Sequence, residues 1–157
     1  MNTMPRPSPR PYFVASAGVV ATVLVAALTG AQSRPNFAGL WKVVRADSVG
    51  TPTYGDTFRA SQTDTALTLR VTVGEVTYDA PYKLDGTESN YEPTAGARVA
   101  AVAHWEGSTL VVVTRAMHPV RPQEVTRRLR VDAAGRLHVE TLFSTSDRRT
   151  TTVYQRQ

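Results

Sequence analysis

TALTLRVTV, residues 65–73, decides the fold class. Leu67, Leu69, Val71 and Val73 alternate with Thr68, Arg70 and Thr72, and a period of two sends one set to each face of a β-strand. The pattern continues in both directions. Upstream, FAGLWKVVRAD at 37–47 reads as a strand, and Pro52 and Gly55 mark a loop before a short strand at 56–60. Downstream, EVTYDAPYKL runs from 75 to 84, with Pro81 marking an edge or bulge and Asp85-Gly86 supplying a hairpin turn. Residues 86–96 are a polar excursion. ARVAAVAHW at 97–105 then turns at Glu106-Gly107 into STLVVVTRA at 108–116, which MHPVRP ends with two prolines. QEVTRRLRV, RLHVETLFS and RRTTTVYQR make a closing meander, turning at Asp132 to Gly135 and at Ser146-Asp147.

The predicted fold is all-β, an antiparallel meander of about eight strands. Short connections make sequence neighbours into spatial neighbours, and a sheet of that size hides its edges by closing into a barrel. The composition is that of one folded domain, 41% hydrophobic and 20% charged. Without cysteine, disulfides, thiol nucleophiles and lipid attachment through sulfur are excluded.

In front of the β domain lies PYFVASAGVVATVLVAALTGAQS, residues 11–33, which has no charged residue. The expected organisation is a proline-rich N-terminus at 1–11, a hydrophobic helix at 12–31, a linker at 32–36 and the β domain at 37–157. As a helix, residues 12–31 rise about 30 Å, enough to span a bilayer. Arg6 and Arg10 place the N-terminal flank in the cytoplasm and the domain beyond the membrane. Thr29, Gly30 and Ala31 equally suit a cleaved signal peptide. The length of the run and Tyr12 at its start favour retention.

NFAGLWKVV at 36–44, the LTL of 67–69, HWEGSTLVVVT at 104–114, RRLRVDAAGRLHVET at 127–141 and the terminal TTVYQRQ resemble a group of small exported bacterial domains. Those domains have a lipocalin-like or fatty-acid-binding-like barrel. The resemblance covers residues 36–157 and implies structural roles for Gly39, Trp41, Trp105 and Gly107, the early Gly-x-Trp capping the bottom of the barrel. In outline the chain is also similar to the extra β-domain subunits of some bacterial reaction-centre and light-harvesting assemblies.

No catalytic motif stands out. His104, His118 and His138 lack the spacing of metal ligands, no serine sits in a G-x-S-x-G elbow, and Glu88 and Glu92 fall in the polar excursion. The expectation is therefore no enzyme, no metal and no cofactor. Net charge is +5, and no aromatic residues interleave with Arg127, Arg128, Arg130, Arg148 and Arg149, so no nucleic-acid platform is predicted. Alternation puts Val125, Leu129 and Val131 on one strand face and turns Arg127 inward with them, unless a bulge intervenes or the register differs. There it pairs with Asp147 or Glu140, or, as the resemblance implies, meets the carboxylate of an acidic lipid. Tyr54, Phe58, Tyr78, Tyr82 and Tyr91 form barrel-rim packing, or line a cavity mouth that takes a ligand, or make an interaction surface.

Two functions follow. The first is a non-enzymatic accessory subunit, single-pass in the inner membrane with its barrel in the periplasm, and contacting lipid or detergent through its helix. That helix would pack on membrane protein partners through Ala15, Ala17, Gly18, Ala21 and Ala26, in an assembly such as a photosynthetic reaction centre. The second is a periplasmic carrier, freed by cleavage, that encloses a hydrophobic molecule.

Overall fold

The computed structural model describes residues 34–116, 123–146 and 148–157. Their strands are β1 (Gly39–Val43), β2 (Thr57–Gln62), β3 (Ala66–Val73), β4 (Val76–Lys83) and β5 (Glu88–Tyr91) in the first half. β6 (Val99–Glu106), β7 (Thr109–Ala116), β8 (Gln123–Val131), β9 (Leu137–Phe143) and β10 (Arg149–Arg156) follow. They form one ten-stranded sheet in the order β4-β3-β2-β1-β10-β9-β8-β7-β6-β5. Every ladder is antiparallel and joins consecutive strands, apart from the pairing of β1 with β10 that brings the first strand beside the last.

β4 and β5 end the sheet order, so the barrel has one seam that no ladder closes. Side chains cross it instead. The Lys83 N–H donates to Ser89 Oγ at 3.1 Å, Tyr78 stacks on Tyr91 with centroids 6.1 Å apart, and Tyr82 meets Tyr91 edge-on. Pro81 lies in β4, where the missing N–H removes no ladder bond towards β5.

The core follows the alternation read from residues 65–73: Leu67, Leu69 and Val71 are fully buried. Val73 departs from that reading. It runs past the core into the β3–β4 turn and is 55% exposed. Two further corrections concern the fold class. Among the described residues there are ten strands rather than about eight, one of them, β5, inside the polar excursion, where its ESNY sequence turns only Ser89 and Tyr91 towards the interior. The barrel is not preceded by a helix in the described structure. Residues 12–31 lie outside the described residues, and among the described ones the helical element is a 3-10 turn at Arg45–Asp47. No helix among them is long and apolar enough to cross a membrane.

One end of the barrel is shut by aromatic rings. Trp41 is fully buried and its indole N–H donates to the Phe37 carbonyl at 2.7 Å. Phe37 stacks on Trp105 at 5.8 Å, and its N–H donates to Gln62 Oε1 at 2.8 Å. Arg156 lies over the Trp41 ring, 4.8 Å from its centroid, and donates to the Asn36 carbonyl.

Candidate functional site

β8 pairs in unbroken register with β7 and β9, so no bulge intervenes and Arg127 points into the barrel between Val125 and Leu129. Its Nη1 donates to Thr114 Oγ1 of β7 at 2.8 Å. Its Nε is out of reach of water and has no hydrogen-bond partner. Among the described residues no carboxylate faces it: Glu140, across the β8–β9 ladder, points outward to Arg149 Nη1 at 2.8 Å, and Asp147 lies outside the described residues. Four tyrosines surround the guanidinium instead. Burial works against its charge, but Tyr54, Tyr82, Tyr91 and Tyr78 more than compensate, and its pKa is raised.

Tyr54 reaches that position because a loop enters the barrel. Between β1 and β2 the chain leaves the sheet at the Val49–Thr151 bridge and rejoins it where the Val43 N–H donates to the Asp56 carbonyl at 2.8 Å. The intervening strap crosses the end opposite Trp41. Hydroxyl groups from the interior hold it: the Tyr54 N–H donates to the Tyr154 hydroxyl at 2.9 Å, and that hydroxyl donates to the Gly55 carbonyl at 3.2 Å. The Thr53 N–H donates to Thr152 Oγ1 at 3.3 Å, and Thr53 Oγ1 lies 2.9 Å from Thr141 Oγ1. So tethered, the Tyr54 ring is 97% buried against Phe58 and under Arg127, whose Cζ is 5.8 Å from the ring centroid.

The Tyr54 hydroxyl is sealed from solvent without a hydrogen bond of acceptable geometry, although Tyr82 is close by. Burial pushes the phenol up to about 12, against the downward pull of Arg127. Burial likewise raises Tyr78, and Tyr82 well beyond the usual range. The interior thus holds one cation and several neutral hydroxyls among apolar side chains, a setting suited to an anion rather than to acid–base catalysis.

Outside the strap is an open cleft of about 650 Å³ lined by Arg45, Gly50 to Pro52, Gly55, Asp56, Thr72 to Gly74 and Arg148. Its two cations and one acid are exposed, and Arg45 is paired with Asp56.

The residues singled out in the sequence fall into separate places. Arg127, Tyr54, Tyr78, Tyr82 and Tyr91 converge in the interior, with Phe58 packed behind Tyr54. Trp41 and Trp105 lie at the closed end, where Gly39 backs onto the Arg156 side chain and Gly107 forms the β6–β7 turn. Ala15, Ala17, Gly18, Ala21, Ala26 and His118 lie outside the described residues. His104 and His138 stay apart on the outer surface, beside Glu106 and Asp132. His138 therefore meets Asp132 rather than the Glu140 that shares its face. Glu88 and Glu92 do not form a pair; Glu92 binds Arg98. Among the described residues no three His, Asp or Glu side chains gather where a metal could sit.

Four site residues escaped the sequence reading: Thr114, Thr141, Thr152 and Tyr154. For Thr152 and Tyr154 the signal was present, since a period of two on β10 turns Thr150, Thr152 and Tyr154 inward together.

No protein-family model matches the chain, and no curated protein matches it. Solved structures do. A point mutant of the fluorescent protein UnaG superposes with a TM-score of 0.57 at 25% identity, over 77% of this chain and 96% of that one. Human cRBP IV gives 0.56 at 13% identity, over 78% and 99%. The fold is a lipocalin-like β-barrel. The non-enzymatic reading stands with that fold.

The same likeness overturns the first functional expectation. A barrel matching UnaG and cRBP IV over nearly their whole length gives no support to an added domain of a photosynthetic or other membrane assembly. The accessory-subunit role, the membrane protein partners, the lipid or detergent contact and the single-pass inner-membrane placement are withdrawn with it. Their basis was residues 12–31, none of which is among those described.

Proposed function

We propose that the chain is a binding protein for a small apolar molecule bearing one anionic group, and that the anion meets Arg127 inside the barrel. A single observation carries this reading: a cation partly withdrawn from water, with an idle Nε and no carboxylate against it among the described residues. An unpaired charge in such a place costs several kcal/mol, about what a well-placed anion returns. Tyr78, Tyr82 and Tyr91 offer an apolar wall with polar tips beside it. The barrel fold, shared with UnaG and cRBP IV, supports the same reading. Residues 12–31 act here as an export leader removed after Ala31, so the native protein is expected to have an intact mass lacking residues 1–31.

Two fluorescent probes test the proposal on the native protein. 1-Anilinonaphthalene-8-sulfonate has an apolar body and one sulfonate; N-phenyl-1-naphthylamine is the same body without the charge. Arg127→Gln is expected to weaken the sulfonate probe roughly ten- to a hundred-fold, the range of a hydrogen bond to a charged group, and to leave the neutral probe nearly unchanged. Equal binding of the sulfonate probe by wild type and Arg127→Gln would defeat the proposal.

A further inference from the structure

Tyr54 occupies the place an anionic ligand needs. Its ring lies against the Arg127 guanidinium, the Tyr54 hydroxyl and the Arg127 Nε are both without partners, and the contact contains no ion pair. A tyrosine that belonged permanently in this core would be expected to satisfy its hydroxyl, because sealing one off unpaired costs about 1–3 kcal/mol. The strap that carries it is not part of the sheet. Between residues 50 and 55 it is held by the side-chain hydroxyls of Thr141, Thr152 and Tyr154.

Glycines flank the strap. Gly50 and Gly55 have φ of +90° and +73°; a Cβ at Gly50 would lie 2.7 Å from the Thr150 methyl, and one at Gly55 2.8 Å from the Thr72 carbonyl oxygen. Only glycine fits both positions, and residues without a side chain absorb large backbone rotations at low cost. The open cleft beside Gly50, Thr51, Pro52 and Gly55 provides room for the strap to leave the barrel.

We infer that Tyr54 is a built-in competitor for the Arg127 site: the strap keeps its ring on the guanidinium, and a ligand reaches Arg127 only by displacing that ring as the strap swings out on Gly50 and Gly55. This rests on the anion-binding reading above. Tyr54 then determines specificity as well as access. An apolar molecule without an anion must dislodge the strap without gaining Arg127 in return, whereas an anionic one gains the charge-assisted contact that offsets the displacement. The apparent affinity is lowered by the fraction of chains in which the strap is in place.

The test is a double-mutant cycle with 1-anilinonaphthalene-8-sulfonate, together with hydrogen exchange of the wild-type chain. Tyr54→Ala is expected to tighten binding roughly ten-fold when Arg127 is present, and by much less in the Tyr54→Ala/Arg127→Gln chain. In the wild type saturated with the probe, the amides of residues 53–55 are expected to exchange faster while those of β7 to β10 slow. The exchange measurement needs no variant, so it decides the matter even if Tyr54→Ala fails to fold.

An Arg127-dependent probe that leaves residues 53–55 equally or better protected overturns the inference and leaves the binding reading standing. A gain from Tyr54→Ala that is the same with and without Arg127 also overturns it, because removing the ring has then only made a hole. Probe binding indifferent to Arg127 in every chain removes both.

Discussion

The barrel is closed at its two ends by aromatic side chains, but the two closures are built differently. At the Trp41 end, Phe37 and Trp105 stack and the flanking backbone is tied to both chain segments: Phe37 to Gln62, Asn36 to Arg156, and the Gln157 N–H to the Leu40 carbonyl at 2.9 Å. The buried Trp41 indole has its hydrogen bond; the Trp105 indole N–H has none, but its ring rides on a strand of the sheet and cannot leave without breaking a ladder. At the Tyr54 end the ring enters on a loop outside the sheet, held by hydroxyls, with its own hydroxyl unpaired. Equal burial does not mean equal commitment. The first end leaves one neutral donor idle on a fixed strand, whereas the second leaves an unbonded hydroxyl beside a cation that has an idle Nε and, among the described residues, no carboxylate against it. One is a floor and the other a stopper.

The largest effect should come from the floor. Trp41→Ala removes a fully buried indole and leaves the Phe37 carbonyl without its donor, which is expected to cost about 3–5 kcal/mol of global stability by chemical denaturation. If the chain tolerates this change better than Tyr54→Ala, the assignment of the two ends is reversed.

The stopper should respond to alkali. Tyr54 has a pKa of about 12 in the barrel against 10.0 for a free phenol, so the folded state holds its proton more tightly than the released strap. The stabilisation is complete below about pH 10 and is lost as pH rises through 12, amounting to about 3 kcal/mol for a shift of that size. Tyr78, Tyr82 and Tyr154 are raised as well, so the whole barrel weakens in alkali. Tyr54→Phe, which cannot ionise there, isolates the strap: its stability should fall less steeply over this range. Parallel slopes for the two chains would mean that Tyr54 is not held as described.

Tyr154→Phe sharpens the contrast further. It keeps the buried ring but removes both hydrogen bonds that hold the strap, the one accepted from the Tyr54 N–H and the one donated to the Gly55 carbonyl. The expected loss is about 1–3 kcal/mol, felt mainly as faster hydrogen exchange at residues 53–55. Exchange that rises equally across all strands would show the strap to be part of the global fold.

The two ends also differ in how far the sequence reveals them. Alternation at 65–73 identifies a strand outright, and parity on β8 turns Arg127 inward once Val125 and Leu129 are assigned to the core. The Trp41 end is readable because its residues lie on or beside strands. The strap is not. Pro52 and Gly55 mark a loop, but whether a loop lies over a barrel or enters it depends on which groups wait inside, here the hydroxyls of Thr141, Thr152 and Tyr154 from strands about a hundred residues away. β5 is hidden for a related reason, since four residues with two inward side chains give too short a run for any period.

The smallest effect should come from the β8–β9 turn, which belongs to the floor end. Asp132 accepts from the Ala134 and Arg136 N–H groups at 2.9 Å, and its other oxygen lies 2.8 Å from His138 Nε2 and 3.0 Å from Arg136 Nε. Arg136 in turn reaches Asp47 in the 3-10 turn. His138 and the arginine hold the Asp132 carboxyl well below the usual range, so the folded state releases that proton more readily than the unfolded chain. Its contribution is complete above the ordinary carboxylate pKa, declines as pH falls below it and is lost only as pH passes the depressed folded value. Melting temperatures of Asp132→Asn and wild type should therefore converge in acid and separate slightly at neutral pH, with wild type higher. The probe affinity should not change at either pH, because the turn is remote from Arg127 in the ladder and makes no hydrogen bond or ion pair with it. If Asp132→Asn altered binding while leaving the melting temperature alone, the two ends would be coupled, and the division between a fixed floor and a removable stopper would fail.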